Sequence, residues 1–208
     1  GIEDWVEEIC APVFIKPVDS SGSKGVTCVN GFNRTNIRIA YDSALNYSRV
    51  NKVVVEEKIL KKGKQIAGDG FVINGKLAFR AWADENFNDL CNGLVPIGQS
   101  FPTNLSMDLI DIAHSETQRV IDILELKNGA LNFDFIFDSN NNFYFIELGP
   151  RNGGCRIPEA TRYLTNVDMV SLTVETALGS TNLKPDYIES NGYWATYMIH
   201  SLNDGKFK

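Results

Sequence analysis

Histidine is scarce in this sequence: His114 and His200 are the only two in 208 residues. His114 falls inside an amphipathic helical pattern, where a packed or surface imidazole is the ordinary reading. No nucleophile elbow G-x-S-x-G is present either, so a Ser-His-Asp hydrolase is set aside. Cysteine is also sparse. The four residues, Cys10, Cys28, Cys91 and Cys155, stand far apart, with no C-x-x-C pair and no histidine at zinc-ligand spacing. They read as reduced thiols, in keeping with a cytoplasmic protein. No apolar run approaches the ~20 residues that span a bilayer, and no signal-peptide pattern is visible, so no membrane partner is expected. Positive charge is in deficit. Lys and Arg number 20 against 26 Asp and Glu, a net charge of −6, which argues against nucleic acid as a partner because backbone binding relies on clustered cations. A local basic site for a small anion is compatible with that balance.

What is present is an ordinary globular composition, 43% hydrophobic and 22% charged, in a chain long enough for one domain or two closely packed lobes. Gly1 rather than Met begins the chain, and it runs almost at once into Pro12-Val13-Phe14-Ile15, so it is read as a segment of something longer. Ile2, Trp5, Val6 and Ile9 recur at helical spacing until Pro12. A strand over Val13 to Val18, the small-residue stretch Asp19 to Gly25, and a second short strand over Val26 to Val29 follow. Ile37, Tyr41, Ala44, Leu45 and Ser48 mark one helix face, and Val53-Val54-Val55 reads as a buried strand ending in Glu56-Glu57. Residues 1–58 thus form a small lobe, and residues 59–208 a larger one. In the latter, Gln65 to Ile73 and Lys76 to Ala81 alternate around Asn74-Gly75, a dipeptide suited to a tight hairpin turn. Residues 84–105 are rich in Asn, Gly and Pro and read as a long loop. Leu109 to Leu124 carry an amphipathic helix, Met169 to Ala177 another that Gly179 stops, and Trp194 onward reads as the start of a further β segment.

The stretch that carries chemistry is a hairpin. Ala130 to Asp138 and Phe143 to Leu148 are apolar-rich runs joined by the turn-prone Ser139-Asn140-Asn141-Asn142. With those residues as the loop, Asp138 faces Phe143, Phe135 faces Ile146, Asp134 faces Glu147 and Phe133 faces Leu148. One face then carries Phe133, Phe135, Phe137, Tyr144, Ile146 and Leu148. The other carries Asn132, Asp134, Ile136, Asp138, Phe143, Phe145 and Glu147. Opposed carboxylates with Cβ atoms about 5 Å apart repel unless a cation or a shared proton relieves them. Mg²⁺ or Mn²⁺, which take oxygen ligands and often only one or two protein carboxylates, suit the place. Arg151 follows closely and would bring a cation beside the acids, where a transferring phosphoryl group needs one.

The stretch FYFIELGPRNGG, Phe143 to Gly154, resembles the signature of ATP-grasp enzymes related to carbamoyl-phosphate synthase and biotin carboxylase: a glutamate with an arginine shortly after it. The resemblance implies an α+β chain of the ATP-grasp fold, a small lid lobe plus a larger antiparallel-sheet lobe with the nucleotide bound between them. It implies ATP and Mg²⁺ (or Mn²⁺) as cofactors, Asp134 and Glu147 as metal ligands, and Arg151 as the residue that steadies an acyl phosphate. The family commonly has Asn two residues after the glutamate, where this chain has Gly149. Asn132, across from Gly149 in the register above, is expected to supply the missing oxygen to the metal.

PVFIKPVDSSGSKGV similarly resembles the family's lid. Lys16 would contact phosphate and serve catalysis, while Ser21, Ser23 and Lys24 lie in the loop that closes over it, although the loop is no Walker P-loop. VVVEEKI resembles the hinge that hydrogen-bonds adenine, which makes Glu56, Glu57 and Ile59 adenine candidates and Gln65 a ribose candidate. Without the resemblance, Lys16 would be a snorkelling strand lysine and Glu56-Glu57 a solvated strand end. The implied activity is ligation: a carboxylate or bicarbonate is activated as an acyl phosphate and attacked by an amine or another nucleophile. The implied partners are ATP, a small carboxylate substrate and a preceding N-terminal domain of the same protein, with a homodimer allowed. Two other readings stand open, a non-catalytic ATP-binding module of a larger protein and a simple kinase.

Overall fold

A computed structural model describes residues 1–180, 182–188, 192–203 and 205–206, and the chain divides into two compact units, Gly1–Leu60 and Lys61–Lys208. Each is described by itself.

In the smaller unit, helix α1 (Ile2–Ile9) precedes strand β1 (Val13–Pro17), β2 (Thr27–Val29), helix α2 (Arg34–Tyr47) and β3 (Val53–Glu57). The strands form an antiparallel sheet in the order β2-β1-β3. Alternation along β1 buries Val13 and Ile15 completely, and these pack with Val6 of α1 and Ile37, Ala40 and Ala44 of α2. Asn33 starts α2 by accepting a hydrogen bond from Asn36 N–H at 3.0 Å, which satisfies one of the donors a helix end leaves over. The expectation that Val53-Val54-Val55 is buried is only half met. β3 is an edge strand, so Val53 and Val55 reach the core while Val54, on the other face, is 39% exposed.

The larger unit is built on a six-stranded antiparallel sheet in the order β8-β7-β4-β5-β6-β9. Its strands are β4 (Ile66–Ile73), β5 (Lys76–Phe87), β6 (Pro96–Phe101), β7 (Gly129–Phe137), β8 (Phe143–Gly149) and β9 (Trp194–Tyr197). Its helices are α3 (Met107–Ile123), α4 (Ile157–Thr165) and α5 (Met169–Ala177). The chain is thus α+β. The β4–β5 turn has φ of 53° at Asn74 and 77° at Gly75, as the dipeptide led one to expect. One sheet face is apolar: Ile66, Trp82, Phe133, Phe135 and Phe137 pack against Ala113 and Ile121 of α3. Trp82 meets Phe135 edge-on with centroids 5.1 Å apart, the geometry that the ring quadrupoles favour. The opposite face is covered in two patches. Phe71, Phe79 and Ala130 lie against Met169 and Leu172 of α5, and Ala83 and Phe101 against Ile157, Ala160 and Leu164 of α4. The same face also carries polar residues, with Asp69 paired to Asn132 and Glu85 to Gln99 across the ladders.

Three expectations need correction. Residues 84–105 are not one loop: β5 continues to Phe87 and pairs with β6, and β9 pairs with the far side of β6. Composition hid these strands because several of their inward residues, Asp84, Glu85 and Gln99, are polar yet almost wholly buried. Helix α4 went unread because it is short and has Pro158 in its first turn. In the hairpin, Phe143 faces Phe137 rather than Asp138, and Phe135 faces Phe145 rather than Ile146, because a β-bulge inserts Ile146 between Phe145 and Glu147. The turn is longer than expected by one residue, and the bulge takes that residue up again. Beyond the bulge Asp134 does face Glu147, Phe133 faces Leu148 and Asn132 faces Gly149. Before it the faces exchange. Phe143 and Phe145 join the aromatic cluster, with centroids 5.0 Å from Phe143 to Phe135, and Ile146 is 42% exposed.

Among the described residues no helix is long and apolar enough to cross a membrane. All cysteines are free thiols. His114 is a packed residue whose Nδ1 lies 3.1 Å from Arg80 Nη1.

Candidate functional site

Strand alternation places Asn132 and Asp134 of β7 on the polar side of the sheet. Across the ladder, Asp134 lies opposite Ala67 of β4, and Ala67 opposite Ala83 of β5. These small residues leave the carboxyl of Asp134 within electrostatic reach of Glu85, further along β5, and of Glu147 on β8. Burial, then Glu85, then Glu147 push the Asp134 carboxyl up to about 8, and only Arg151 pulls it back. No hydrogen-bond donor enters that balance. A carboxyl placed so is costly to ionise, and a cation would relieve it. Glu147 differs: its side chain is 61% exposed, and Arg151 Nη2 donates to its Oε1 at 3.3 Å.

Asn132, expected beside the metal, is engaged by protein groups in the chain without ligand. Its Oδ1 accepts from Arg151 Nη1 at 2.8 Å, and its Nδ2 donates to Gly68 O at 3.0 Å and to Asp69 Oδ1 at 3.1 Å. The amide oxygen expected on a metal is held by the guanidinium instead. Asp69 is fully buried in the middle of β4. Burial pushes its carboxyl up to about 6, against the pull of the Gly153 N–H, the Asn132 amide and Arg151. Gln65 is likewise engaged, since its Nε2 donates to Glu85 Oε2 at 2.7 Å. Burial pushes Glu85 up to about 7, opposed by hydrogen bonds from Gln99 and Gln65. Gln99 is fixed in turn by Thr196 Oγ1, which donates to its Oε1 at 2.7 Å.

Asp69 and Glu85 escaped the sequence reading. The available signal was charge at a position where alternation calls for burial: Asp69 inside Ile66–Ile73, and Glu85 in phase with Ala81 and Ala83. Asp69 lies inside the strand expected over Gln65 to Ile73 between two glycines, and Glu85 lies beside Asn86 at the start of the expected 84–105 loop.

In the smaller unit, Lys16 on β1 hydrogen-bonds Glu56 on β3 through Nζ and Oε1, and its ammonium lies 5.3 Å from the centroid of Phe14. Glu57 is exposed and Ile59 half-buried. Ser21, Ser23 and Lys24 share one tight turn, in which φ is positive at three residues, 63° at Gly22, 57° at Ser23 and 76° at Gly25. Asp19 pins the start of that turn: its carboxylate accepts from Ser48 Oγ at 2.8 Å and from Arg49 N–H at 3.0 Å. Thus Lys16 and Glu56 meet, the loop residues cluster, and on the larger unit Asn132, Asp134, Glu147 and Arg151 come together. Gln65 is turned onto Glu85.

The donor set suits a hard divalent cation, since the groups free to approach one are carboxylate oxygens. Among the described residues no group of three or more His, Cys, Asp or Glu side chains could hold a metal. Asp134 and Glu147 would therefore supply part of a shell that other oxygens complete, as is usual for a cation bound with phosphate.

Comparison with known proteins bears on this geometry. The family model described as carbamoyl-phosphate synthase L chain, ATP binding domain, matches residues 2–184. Pyruvate carboxylase of Aspergillus terreus is 24% identical over 194 residues, 88% of this chain and 15% of that protein. Among solved structures, a biotin carboxylase from Campylobacter jejuni in complex with β-γ-ATP superposes with a TM-score of 0.76 at 20% identity, over 93% of this chain and 43% of that one. The biotin carboxylase domain dimer of the Hydrogenobacter thermophilus 2-oxoglutarate carboxylase, with MgADP and bicarbonate, gives the same TM-score and identity over 93% of this chain and 42% of that one. The chain therefore spans 15% of the curated relative's length and less than half of each of these structures.

Proposed function

Because the chain belongs to the family of the carbamoyl-phosphate synthase L chain ATP-binding domain and has the ATP-grasp fold, we propose that it binds ATP with a divalent cation. It would serve as the ATP- and Mg²⁺-binding core of an ATP-dependent ligase. The γ-phosphoryl group of ATP would pass to a carboxylate or bicarbonate with ADP leaving, and an amine or another nucleophile would then attack the acyl phosphate and expel inorganic phosphate. One observation carries the proposal above all: the buried carboxyl of Asp134, pushed up to about 8 without a hydrogen-bond donor, opposite the exposed Glu147 that Arg151 already touches.

Asp134 and Glu147 would hold Mg²⁺ or Mn²⁺. When bound, the cation would neutralise phosphate charge and orient the transferring group. Arg151 places a permanent positive charge beside that position, with its donors arranged in a fork that matches phosphate or carboxylate oxygens. In the smaller unit, Lys16 is the proposed catalytic phosphate contact, with Ser21, Ser23 and Lys24 supplying further phosphate contacts. Glu56, Glu57 and Ile59 are proposed for adenine. The Lys16–Glu56 contact gives the lysine a partner to exchange for phosphate. Gln65, held by Glu85, is a weaker proposal for ribose.

A second reading, a non-catalytic ATP-binding module of a larger protein, draws support from Gly149, where the ATP-grasp resemblance implies an asparagine, and from the engagement of Asn132 and Gln65 elsewhere. A thermal shift with ATP plus Mg²⁺, compared between the native chain and Glu147→Gln, tests nucleotide and metal binding together. Ligand at about a hundred times its Kd stabilises by ~2.7 kcal/mol where it binds, so the native chain should shift and the variant should not. Equal shifts would sink the metal assignment. In the protein that contains this chain, hydroxylamine trapping with candidate carboxylates separates the chemistries. A hydroxamate formed only with ATP supports the ligase, a stable phosphorylated acceptor a kinase, and neither product the binding module.

A further inference from the structure

The roles proposed above leave one buried network on the polar face unused. Asp69 is wholly inaccessible, and a carboxylate so placed is costly unless its oxygens are paired. Both are. Gly153 N–H donates to Oδ1 at 2.8 Å and reaches Oδ2 at 3.1 Å, while Asn132 Nδ2 donates to Oδ1 at 3.1 Å. The same Nδ2 donates to Gly68 O, so the amide of Asn132 can face β4 only with its nitrogen. Flipping it would set oxygen against oxygen there and donor against donor at Arg151. Its Oδ1 is therefore aimed at Arg151 Nη1, which also donates to Asn152 O at 3.0 Å, while Nη2 reaches Glu147. The guanidinium lies across Gly149, where an added Cβ would stand 3.5 Å from Arg151 Cγ.

We infer that Asp69 is a positioning residue for Arg151, gripping the 151–153 loop at Gly153 and orienting the Asn132 amide so that the guanidinium is held beside Glu147 and Asp134. The inference rests on the reading that Arg151 acts on the transferring group, but the held geometry itself is a property of the chain without ligand. Supporting residues of this kind act by removing freedom from the group that does the work. Gly153 belongs to the device, because a Cβ there would lie 2.6 Å from Asp69 Oδ1 and 3.0 Å from Asn132 Nδ2. The loop can approach the carboxylate so closely only without a side chain.

Side-chain ¹⁵N spectra of the arginines test the inference on the ligand-free chain. Arg151 should show hindered guanidinium rotation, unlike the exposed Arg119. Asp69→Asn, with its oxygen kept where Oδ1 serves both donors, sets an NH₂ in place of Oδ2, 3.1 Å from the Gly153 nitrogen and donor against donor, so it should loosen the loop and bring Arg151 to the fast rotation of Arg119. Asn132→Ala, which cuts the link and leaves the carboxylate in place, should free Arg151 while the Gly153 amide stays protected from exchange. It also decides the matter should Asp69→Asn fail to fold. Hindered rotation retained in Asn132→Ala would overturn the inference, as would fast rotation in the native chain. In the turning-over protein, Asp69→Asn should lower kcat roughly 10–100-fold with KM for ATP changed no more than about threefold. An unchanged kcat in folded Asp69→Asn would overturn it too. A native chain that binds no ATP would count against the proposed function alone, since the ligand-free spectra would still report whether Asp69 holds Arg151.

Discussion

In the smaller unit, Lys16 and Glu56 meet with side chains 22% and 45% exposed, and the loop beyond is held by Asp19 at its root. In the larger unit, Asp69 and Glu85 are 0% and 3% exposed and each is tied by amide groups from neighbouring strands. The contrast teaches where order is built in before any ligand arrives. A part-exposed pair trades its partner for a phosphate at less cost than a buried one, because water near it screens the ions and such pairs contribute little to stability. Buried carboxylates cannot rearrange so cheaply, since each oxygen left unpaired costs free energy. The larger unit accordingly holds a fixed charge pattern, and the smaller unit holds groups free to re-pair.

The sharpest way to break that contrast is a methyl group placed in each unit. Gly153→Ala drives a Cβ into the buried Asp69–Asn132 contact, where nothing can yield without leaving a polar group unpaired. A loss of about 3 kcal/mol in denaturant unfolding is expected. The matching change, Gly25→Ala, has φ of 76° and meets Tyr47 Cδ2 at 2.8 Å and Cβ at 2.9 Å; the ring, 52% exposed, can rotate away, while Cβ yields only by a small shift of the last residue of α2. A loss of about 1–2 kcal/mol, mainly backbone strain, should be measured. Equal losses would erase the distinction between the units.

Proton linkage probes the same difference. Asp134, Glu85 and Asp69 are pushed up to about 8, 7 and 6, so the folded larger unit keeps protons that the unfolded chain has already released. Its stability without ligand should therefore be greatest near pH 4 and fall as pH rises toward 8. Asp134→Asn should flatten that fall and raise the melting temperature at pH 8 by roughly 4–8 °C, about 2 kcal/mol for a chain of this size. A variant with the native slope would show that the charge on Asp134 is relieved in some other way. The smallest effect is expected of Lys16→Met, under about 1 kcal/mol in thermal unfolding. A larger loss would make Lys16 part of the unit's framework.

The same contrast governed what could be read from sequence. The small unit's core followed from helical and strand periods at Val6, Val13, Ile15, Ile37 and Ala44, because apolar residues carry it. The opposition of Asp134 and Glu147 is legible too, though by compensation: the turn is one residue longer than the tetrapeptide suggests, and the bulge at Ile146 restores the register. Where no compensation acted, Phe143 and Phe145 were assigned to the wrong face. Asp69, Glu85 and Gln99 were not legible because their burial depends on partners distant in sequence, such as Gly153 and Thr196. Local pattern treats a charge as a surface residue. Asn132, expected as a metal ligand, has its amide oxygen on Arg151 in the chain without ligand, a contact that no spacing rule announces.

The bulge at Ile146 also sets how much this segment can vary in length. A plain two-stranded ribbon would pass any change in its turn straight along the ladder, and one lost residue would carry Glu147 to the opposite side. With a spare residue already parked at 146, the ribbon has slack, and the distance from tip to acids is not rigidly geared. Deletion of Asn141, at the positive-φ apex of the tip, should leave the response to ATP and Mg²⁺ in thermal melting intact, with the bulge consumed in place of the missing residue. Tip length can then drift among descendants of this sequence without carrying the acids out of alignment.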